Sequence, residues 1–245
     1  MADAPIMKKR RLRPIVAWRA MQDLFADPED TAHVFHILRA LSSSRQFTKL
    51  FNRVMAEPDG RRLLEENTSL IATLSDRDAL HALPAGTLGN TYARFMDAEQ
   101  ITADGLEDAS KSDDNYFYDE RAERLANRLR DMHDLWHVST GYGRDFVGED
   151  ALLAFTYAQT RSLGVGFIAL LAYLRFWREG WKHPLPTIRQ GYRRGRAAAF
   201  LPAVEWEAML ELPLDEVREK LGLGEPPDYV PLTAENMDDV VGAPA

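Results

Sequence analysis

Residues 118–149 read YDERAERLANRLRDMHDLWHVSTGYGRDFVGE, and the reading of the fold turns on them. Tyr118 to Thr140 contains helix formers throughout and neither Gly nor Pro, which predicts one continuous helix. Gly141, Gly143 and Gly148 then permit a tight loop, and a second helix is expected from about Glu149. The two arms make an antiparallel helical hairpin. His133 and His137 stand four residues apart on the first arm, so both imidazoles project from one face, one turn apart. Asp134 lies about 100° round the helix from His133, where it binds at the edge of the site or orients an imidazole from behind. Glu149 returns on the second arm towards the level of His137 and offers an oxygen donor. His133, Asp134, His137 and Glu149 are thus the predicted ligands of one divalent metal ion, and the predicted catalytic groups if that ion is catalytic.

Two histidines at this spacing are, alone, weak support for a metal. Here carboxylates flank the pair on both sides in sequence, and Leu135, Trp136 and Phe146 supply apolar surroundings that keep a site dry. His33 and His36 also share a predicted helix with acids nearby, but nothing brings a distant carboxylate back to them, so they are read as structural.

Outward from the hairpin, the second arm is expected to run to about Trp181. It is apolar nearly all round from Val165 to Trp177, as in a helix that is central or faces lipid. Those thirteen residues are too few to span a bilayer. Upstream, Ile15, Val16, Trp18, Met21, Leu24 and Phe25 form a helical stripe, and Asp27-Pro28-Glu29-Asp30 starts a second helix reaching about Leu41. A third is predicted from Gln46 through Met55, and a fourth from near Arg61 carrying Leu63, Leu64, Leu70 and Ile71. Turn-rich Leu83-Pro84-Ala85-Gly86-Thr87-Leu88-Gly89 hands over to a stripe of Tyr92, Phe95 and Met96, and residues 103–115 read as an acidic, solvated connection. Downstream of His183-Pro184-Leu185-Pro186 come a basic helix with Arg189, Arg193, Arg194 and Arg196 and a short one from Leu214 to Leu221. The predicted architecture is all-α: one multi-helix domain over 15–223, with the metal-binding hairpin around a central apolar helix. A basic, flexible N-terminus (1–14) precedes it, and a loose tail rich in Pro and acids (224–245) follows.

The composition narrows the function classes. A length of 245 residues suits one large core, and 45% hydrophobic with 28% charged residues is ordinary globular usage. The formal net charge of −8, with bases interleaved among acids, argues against a nucleic-acid partner. The chain has no Cys, which removes thiol nucleophiles, iron–sulfur clusters and thiolate zinc sites and leaves nitrogen and oxygen donors for any metal. Lys8, Lys9, Arg10, Arg11 and Arg13 are not followed by an apolar h-region, so no secretory signal is read and a cytoplasmic location is expected.

His133-Asp134-Leu135-Trp136-His137, with Glu149 after eleven intervening residues, resembles the HDxxH-plus-glutamate signature of the coenzyme Q (ubiquinone) biosynthesis protein 4 family. Similar landmarks are Leu83 to Gly89 before Tyr92-Ala93, the Pro58-Asp59-Gly60-Arg61 turn and the helix around Tyr192 to Ala198, so the resemblance covers roughly Ile15 to Leu221. No mitochondrial-style presequence is read, which points to a bacterial-type member, and the tail beyond Gly224 stays unassigned. The resemblance implies an all-helical protein with a metal on the signature residues, zinc in first place and iron as the alternative. It implies oxidative decarboxylation at ring carbon one of a polyprenylated 4-hydroxybenzoate-derived precursor, carboxylate being replaced by hydroxyl. Phe155, Leu163, Phe167, Leu171 and Leu174 would line a groove for the isoprenoid tail, unless they are plain core. The implied partners are that lipid precursor, other ubiquinone-synthesis proteins, the cytoplasmic face of a bacterial inner membrane as a peripheral site, and a second copy of the chain.

Two other readings stand beside it. One is a non-catalytic, lipid-binding scaffold that organises the ubiquinone-synthesis enzymes around a structural metal, which a closed coordination shell would favour. The other is a zinc hydrolase, which Asp134 disfavours: it is one methylene shorter than the Glu such sites use as base, and no further histidine motif follows.

Overall fold

The computed structural model describes residues 5–9, 12–13, 15–17, 19–20, 36–37, 40–41, 43–66, 68–101, 117–233 and 235–236. Its helices begin where the local chemistry favours a start. In α1 (Ser44–Ala56) the Ser43 side chain accepts from the Gln46 amide, and α2 (Pro58–Glu65) opens on a proline where no amide is needed. Short α3 (Leu70–Ser75) and α4 (Arg77–Ala82) lead to α5 (Leu88–Ala98), capped by Thr87. The hairpin region holds α6 (Glu120–Asp131), α7 (His133–Thr140) and α8 (Phe146–Thr160), followed by α9 (Leu163–Arg178) and α10 (Pro184–Ala197). Two 3₁₀ turns, Leu201–Ala203 and Glu207–Met209, precede α11 (Leu214–Leu221). Among the described residues there is no strand, only the isolated bridges Met7–Phe117 and Thr87–Pro213. The all-α expectation holds.

Several boundaries differ from the sequence reading, each for a local reason. The first arm is two helices, interrupted at Met132, whose backbone has φ −84° and ψ 0°. Met132 still donates to the Arg128 carbonyl and accepts from Trp136, so the break is a tightened turn at a fully buried side chain, which no Gly or Pro announces. The second arm starts at Phe146, one turn earlier than expected, because the Asp145 carboxylate accepts from the Val147 and Gly148 amides. It ends at Arg161, in the left-handed region at φ 57°, and Ser162 caps a new helix. The apolar segment is thereby divided: α8 is central, whereas α9 leaves Leu163, Leu170, Leu174 and Trp177 exposed. The fourth predicted helix likewise splits into α2 and α3.

Some described residues of the two terminal segments make contacts with the domain. Ile6 accepts hydrogen bonds from Tyr118 and Asp119 and Met7 is buried, so this part of the N-terminal segment is tied down. Residues 225–233 carry no regular structure and are mostly exposed, but Tyr229 is half-buried and Leu232 is fully buried in a cluster with Val147 and Leu185. Residues 15–17, 19–20, 36–37 and 40–41 are helical, and Arg13 donates to the Ala40 carbonyl at 2.8 Å. The remainder of the first two predicted helices, His33, and the acidic connection 103–115 lie outside the described residues.

The main core gathers Tyr92, Met96, Leu135, Trp136, Leu152, Phe155 and Trp206 around α8. Across α8 lies α10, and two glycines set how close it comes. A Cβ on Gly191 would stand 2.1 Å from the Ala151 carbonyl oxygen, and one on Gly195 would stand 2.6 Å from that of Phe155. Only hydrogen fits at either place, so the two backbones rest on each other at Ala151 and Phe155. A bidentate ion pair from buried Arg128 to partly buried Glu207, at 2.6 and 3.0 Å, ties α6 to the second 3₁₀ turn. The Gly191→Ala variant should lose about 3 kcal/mol of stability through this clash, measured as a lower urea midpoint at unchanged slope. A midpoint equal to the parent's would mean that the α8–α10 contact is looser than described.

Candidate metal centre

The hairpin brings three of the four predicted ligands together. The Nε2 atoms of His133 and His137 are 3.3 Å apart with their rings at 89°. Glu149 places Oε1 3.4 Å from His137 Nε2 and Oε2 3.9 Å from His133 Nε2. A tetrahedral ion with bonds of about 2.0–2.1 Å needs ligand atoms roughly 3.4 Å apart, so this two-nitrogen, one-oxygen set fits a divalent metal and leaves a position open. Asp134 does not join the group. It is buried, and its negative charge favours the protonated form of both imidazoles from outside the donor set.

Each side chain is placed by local structure. His133 opens α7 and His137 follows one turn on, while Glu149 sits in the first turn of α8, where a carboxylate is favoured by the helix dipole. The His137 side chain is fully buried, whereas His133 and Glu149 expose 31% and 32% of theirs, so the site is a floor with one open side. Phe95 of α5 stacks on the His137 ring at 5.9 Å. His137 Nδ1 lies 2.9 Å from the Tyr142 carbonyl oxygen, a contact in which the ring N–H donates. In a neutral ring this leaves the Nε2 lone pair for the metal. Arg144, in the loop, stands 3.7 Å from Glu149 Oε1 and 3.7 Å from Glu99.

The end of α7 would leave its last carbonyls unpaired. Arg218 donates to Ser139 and Val138 at 3.1 and 3.3 Å, and Arg194 donates to Thr140 at 2.9 Å while its guanidinium lies 5.0 Å from the centre of the Tyr142 ring. Arg194, one of the four arginines of the basic helix, is therefore part of the frame behind the site. Arg189, Arg193 and Arg196 remain exposed. The parts that Tyr142, Arg144, Arg194 and Arg218 play at the site have no mark in the sequence. A backbone carbonyl has no residue-type signature, and contacts 54 to 80 residues apart leave no local pattern.

Without metal the three groups share charge unevenly. Burial lowers the His133 pKa, and the positive charge of His137 lowers it further. Burial also works against His137, but the hydrogen bond and charge of Glu149 outweigh it and hold that imidazole above its ordinary value. The same contact overcomes burial at Glu149 and keeps its carboxyl below the usual range. A metal must then displace the proton held on His137. Zinc affinity should fall by about tenfold per pH unit below that raised value, the slope for one displaced proton, read by competition with a chromophoric chelator. An affinity flat across the neutral to mildly acidic range would remove His137 from the donor set.

Residues 8–227 match the family described as coenzyme Q (ubiquinone) biosynthesis protein Coq4. The mitochondrial ubiquinone biosynthesis protein COQ4 of Clavispora lusitaniae is 30% identical over 213 residues, covering 86% of this chain and 65% of the relative. Its counterpart from Pyrenophora tritici-repentis is 30% identical over 210 residues, covering 83% and 69%. The chain thus spans roughly two thirds of these relatives' length. A crystal structure of a candidate ubiquinone biosynthesis protein from Nostoc punctiforme superposes with a TM-score of 0.63 at 25% identity, covering 88% of this chain and all of that one.

Proposed function

Because the chain belongs to the Coq4 family of ubiquinone biosynthesis proteins, we propose that it removes the ring-carbon-one carboxylate of a polyprenylated 4-hydroxybenzoate-derived precursor and leaves a hydroxyl there. The observation that carries this reading is the open-sided His133, His137 and Glu149 cluster, whose donor separations suit one divalent ion. Zinc and iron both accept such nitrogen and oxygen donors. When bound, the ion supplies Lewis-acid stabilisation of a substrate carboxylate or phenolate. Exchange of carboxylate for hydroxyl releases carbon dioxide and removes two electrons from the ring carbon, so an external oxidant such as dioxygen is required.

The chain's own groups take defined parts. Glu149 and the two imidazoles hold the ion, and the Tyr142 carbonyl fixes the ring of His137. Asp134 acts from behind, by the charge it lends both histidines. Arg144 stands at the rim beside Glu149, where its guanidinium can receive the anionic carboxylate of the substrate. Phe95 and the buried wall around His137 limit water on the inner side.

The lipid tail has a place of suitable character. A groove of about 590 Å³ runs between α8, α9 and α10, lined by Leu163, Phe167, Leu170, Tyr173, Ile188 and Tyr192. Of the five residues expected to line it, only Leu163 and Phe167 do; Phe155 is fully buried against Trp136. Tyr157 of the groove and Glu149 of the site share α8, eight residues or about 12 Å apart along its axis. Arg189 and Arg193 at the groove, with exposed Leu170, Leu174 and Trp177 on α9, suit contact with an anionic membrane surface. Among the described residues no helix is long and apolar enough to cross a membrane. Peripheral attachment to the cytoplasmic face of a bacterial inner membrane, association with other ubiquinone-synthesis proteins and self-association belong to the same proposal.

The test is elemental analysis of purified protein beside a His133→Ala, His137→Ala double variant, both assayed on a carboxylated polyprenyl-phenol. Loss of metal and conversion together, in a variant with parental helicity, is expected. Equal metal in both proteins would sink the site assignment. Metal bound by the parent without any conversion would favour the scaffold reading.

A further inference from the structure

The segment 225–233 meets the metal hairpin from outside, and its last residues lie beyond those that match the family, which end at 227. The Tyr229 hydroxyl donates to Asp145 Oδ2 at 2.6 Å and accepts from the Gly143 amide at 2.9 Å. The Leu232 amide donates to Asp145 Oδ1 at 3.0 Å, and its carbonyl accepts from Phe146 at 2.8 Å. Asp145 Oδ1 also caps α8, taking the Val147 and Gly148 amides at 3.0 and 3.2 Å. One carboxylate thus joins the C-terminal strap to the first turn of the helix that carries Glu149. Burial, and then the Asp145 carboxylate it donates to, raise the Tyr229 phenol above its ordinary value, so the hydroxyl stays a donor.

The strap also reaches the other arm. The rings of Tyr229 and Tyr142 are 6.3 Å apart, and the Tyr142 carbonyl is the partner of His137 Nδ1. A Cβ on Gly148 would stand 2.5 Å from the Tyr229 oxygen, and one on Gly141 would stand 2.9 Å from Pro226, so the strap touches both the start of the loop and the first turn of α8. The loop from Gly141 to Asp145 sets how far Glu149 stands from His137, and it has no helical ladder of its own to hold it.

We propose that Tyr229 is a positioning residue of the metal centre, its hydroxyl locking the Gly143–Asp145 loop so that His137 and Glu149 face the same ion. This rests on the reading of His133, His137 and Glu149 as metal ligands. Removing such an outer partner typically weakens metal binding by about ten- to a hundredfold, through ligand orientation and with no loss of a ligand.

The test uses the full chain with Tyr229→Phe, which keeps the ring and deletes the hydroxyl. Zinc affinity should fall by about tenfold, with Val54→Ala, in a separate core cluster, as a control that loses stability and keeps the parental affinity. A second readout needs no metal: side-chain ¹⁵N spectra at mildly alkaline pH, where the neutral His137 ring of the parent keeps its proton on Nδ1. The variant should show a mixture of tautomers. Unchanged zinc affinity in Tyr229→Phe overturns the proposal while leaving the metal reading intact. If the parent itself binds no zinc, the metal reading fails separately and the imidazole spectrum decides: a shifted tautomer supports the lock on His137, and a parental one overturns it.

Discussion

A fully buried imidazole must have both ring nitrogens occupied, and the surroundings of His137 follow from that constraint. One nitrogen is answered by the Tyr142 carbonyl and the other by Glu149 across the hairpin. The first answer requires the chain to turn sharply after Thr140, which Gly141 permits at φ 79°. The second requires α8 to begin almost at once, which the Asp145 cap achieves. A short loop thus lets both nitrogens of the buried histidine find partners.

Several long-range polar contacts support this centre. Arg194 and Arg218 satisfy the carbonyl end of α7, and their cationic heads also suit the negative end of that helix dipole. Gly191 and Gly195 let α10 lie directly on α8, so the helix bearing Glu149 is backed by another backbone and not by compressible side chains. A site built on such supports can hold a fixed ligand separation. The open side, with Arg144 at its rim, is where that rigidity gives way to solvent access.

Much of the helical pattern was legible in the sequence, because capping residues and apolar periodicity act over one or two turns. Ser43, Thr87 and Ser162 all mark helix starts, and Ser162 marks one that the apolar run around it concealed. The interruption at Met132 had no such marker: it falls at a fully buried side chain with no Gly or Pro beside it and no side-chain cap hydrogen bond. Asp134 shows the same limit. Its helical angle allowed both direct binding and support from behind, and the structure leaves it outside the donor group.

By itself, the sequence determined the all-α class, the hairpin, the pairing of His133 with His137 and the return of Glu149, since all of these depend on helical spacing and a short loop. Only the tertiary structure decided that Tyr229 and Leu232 meet Asp145 at the loop, that Arg194 supports the end of α7, and that Leu163, Leu170, Leu174 and Trp177 of α9 are left exposed. The physical reason is range. Propensity and periodicity act between neighbours along the chain, whereas the satisfaction of buried carbonyls, amides and carboxylates is settled by whichever distant segment packs against them.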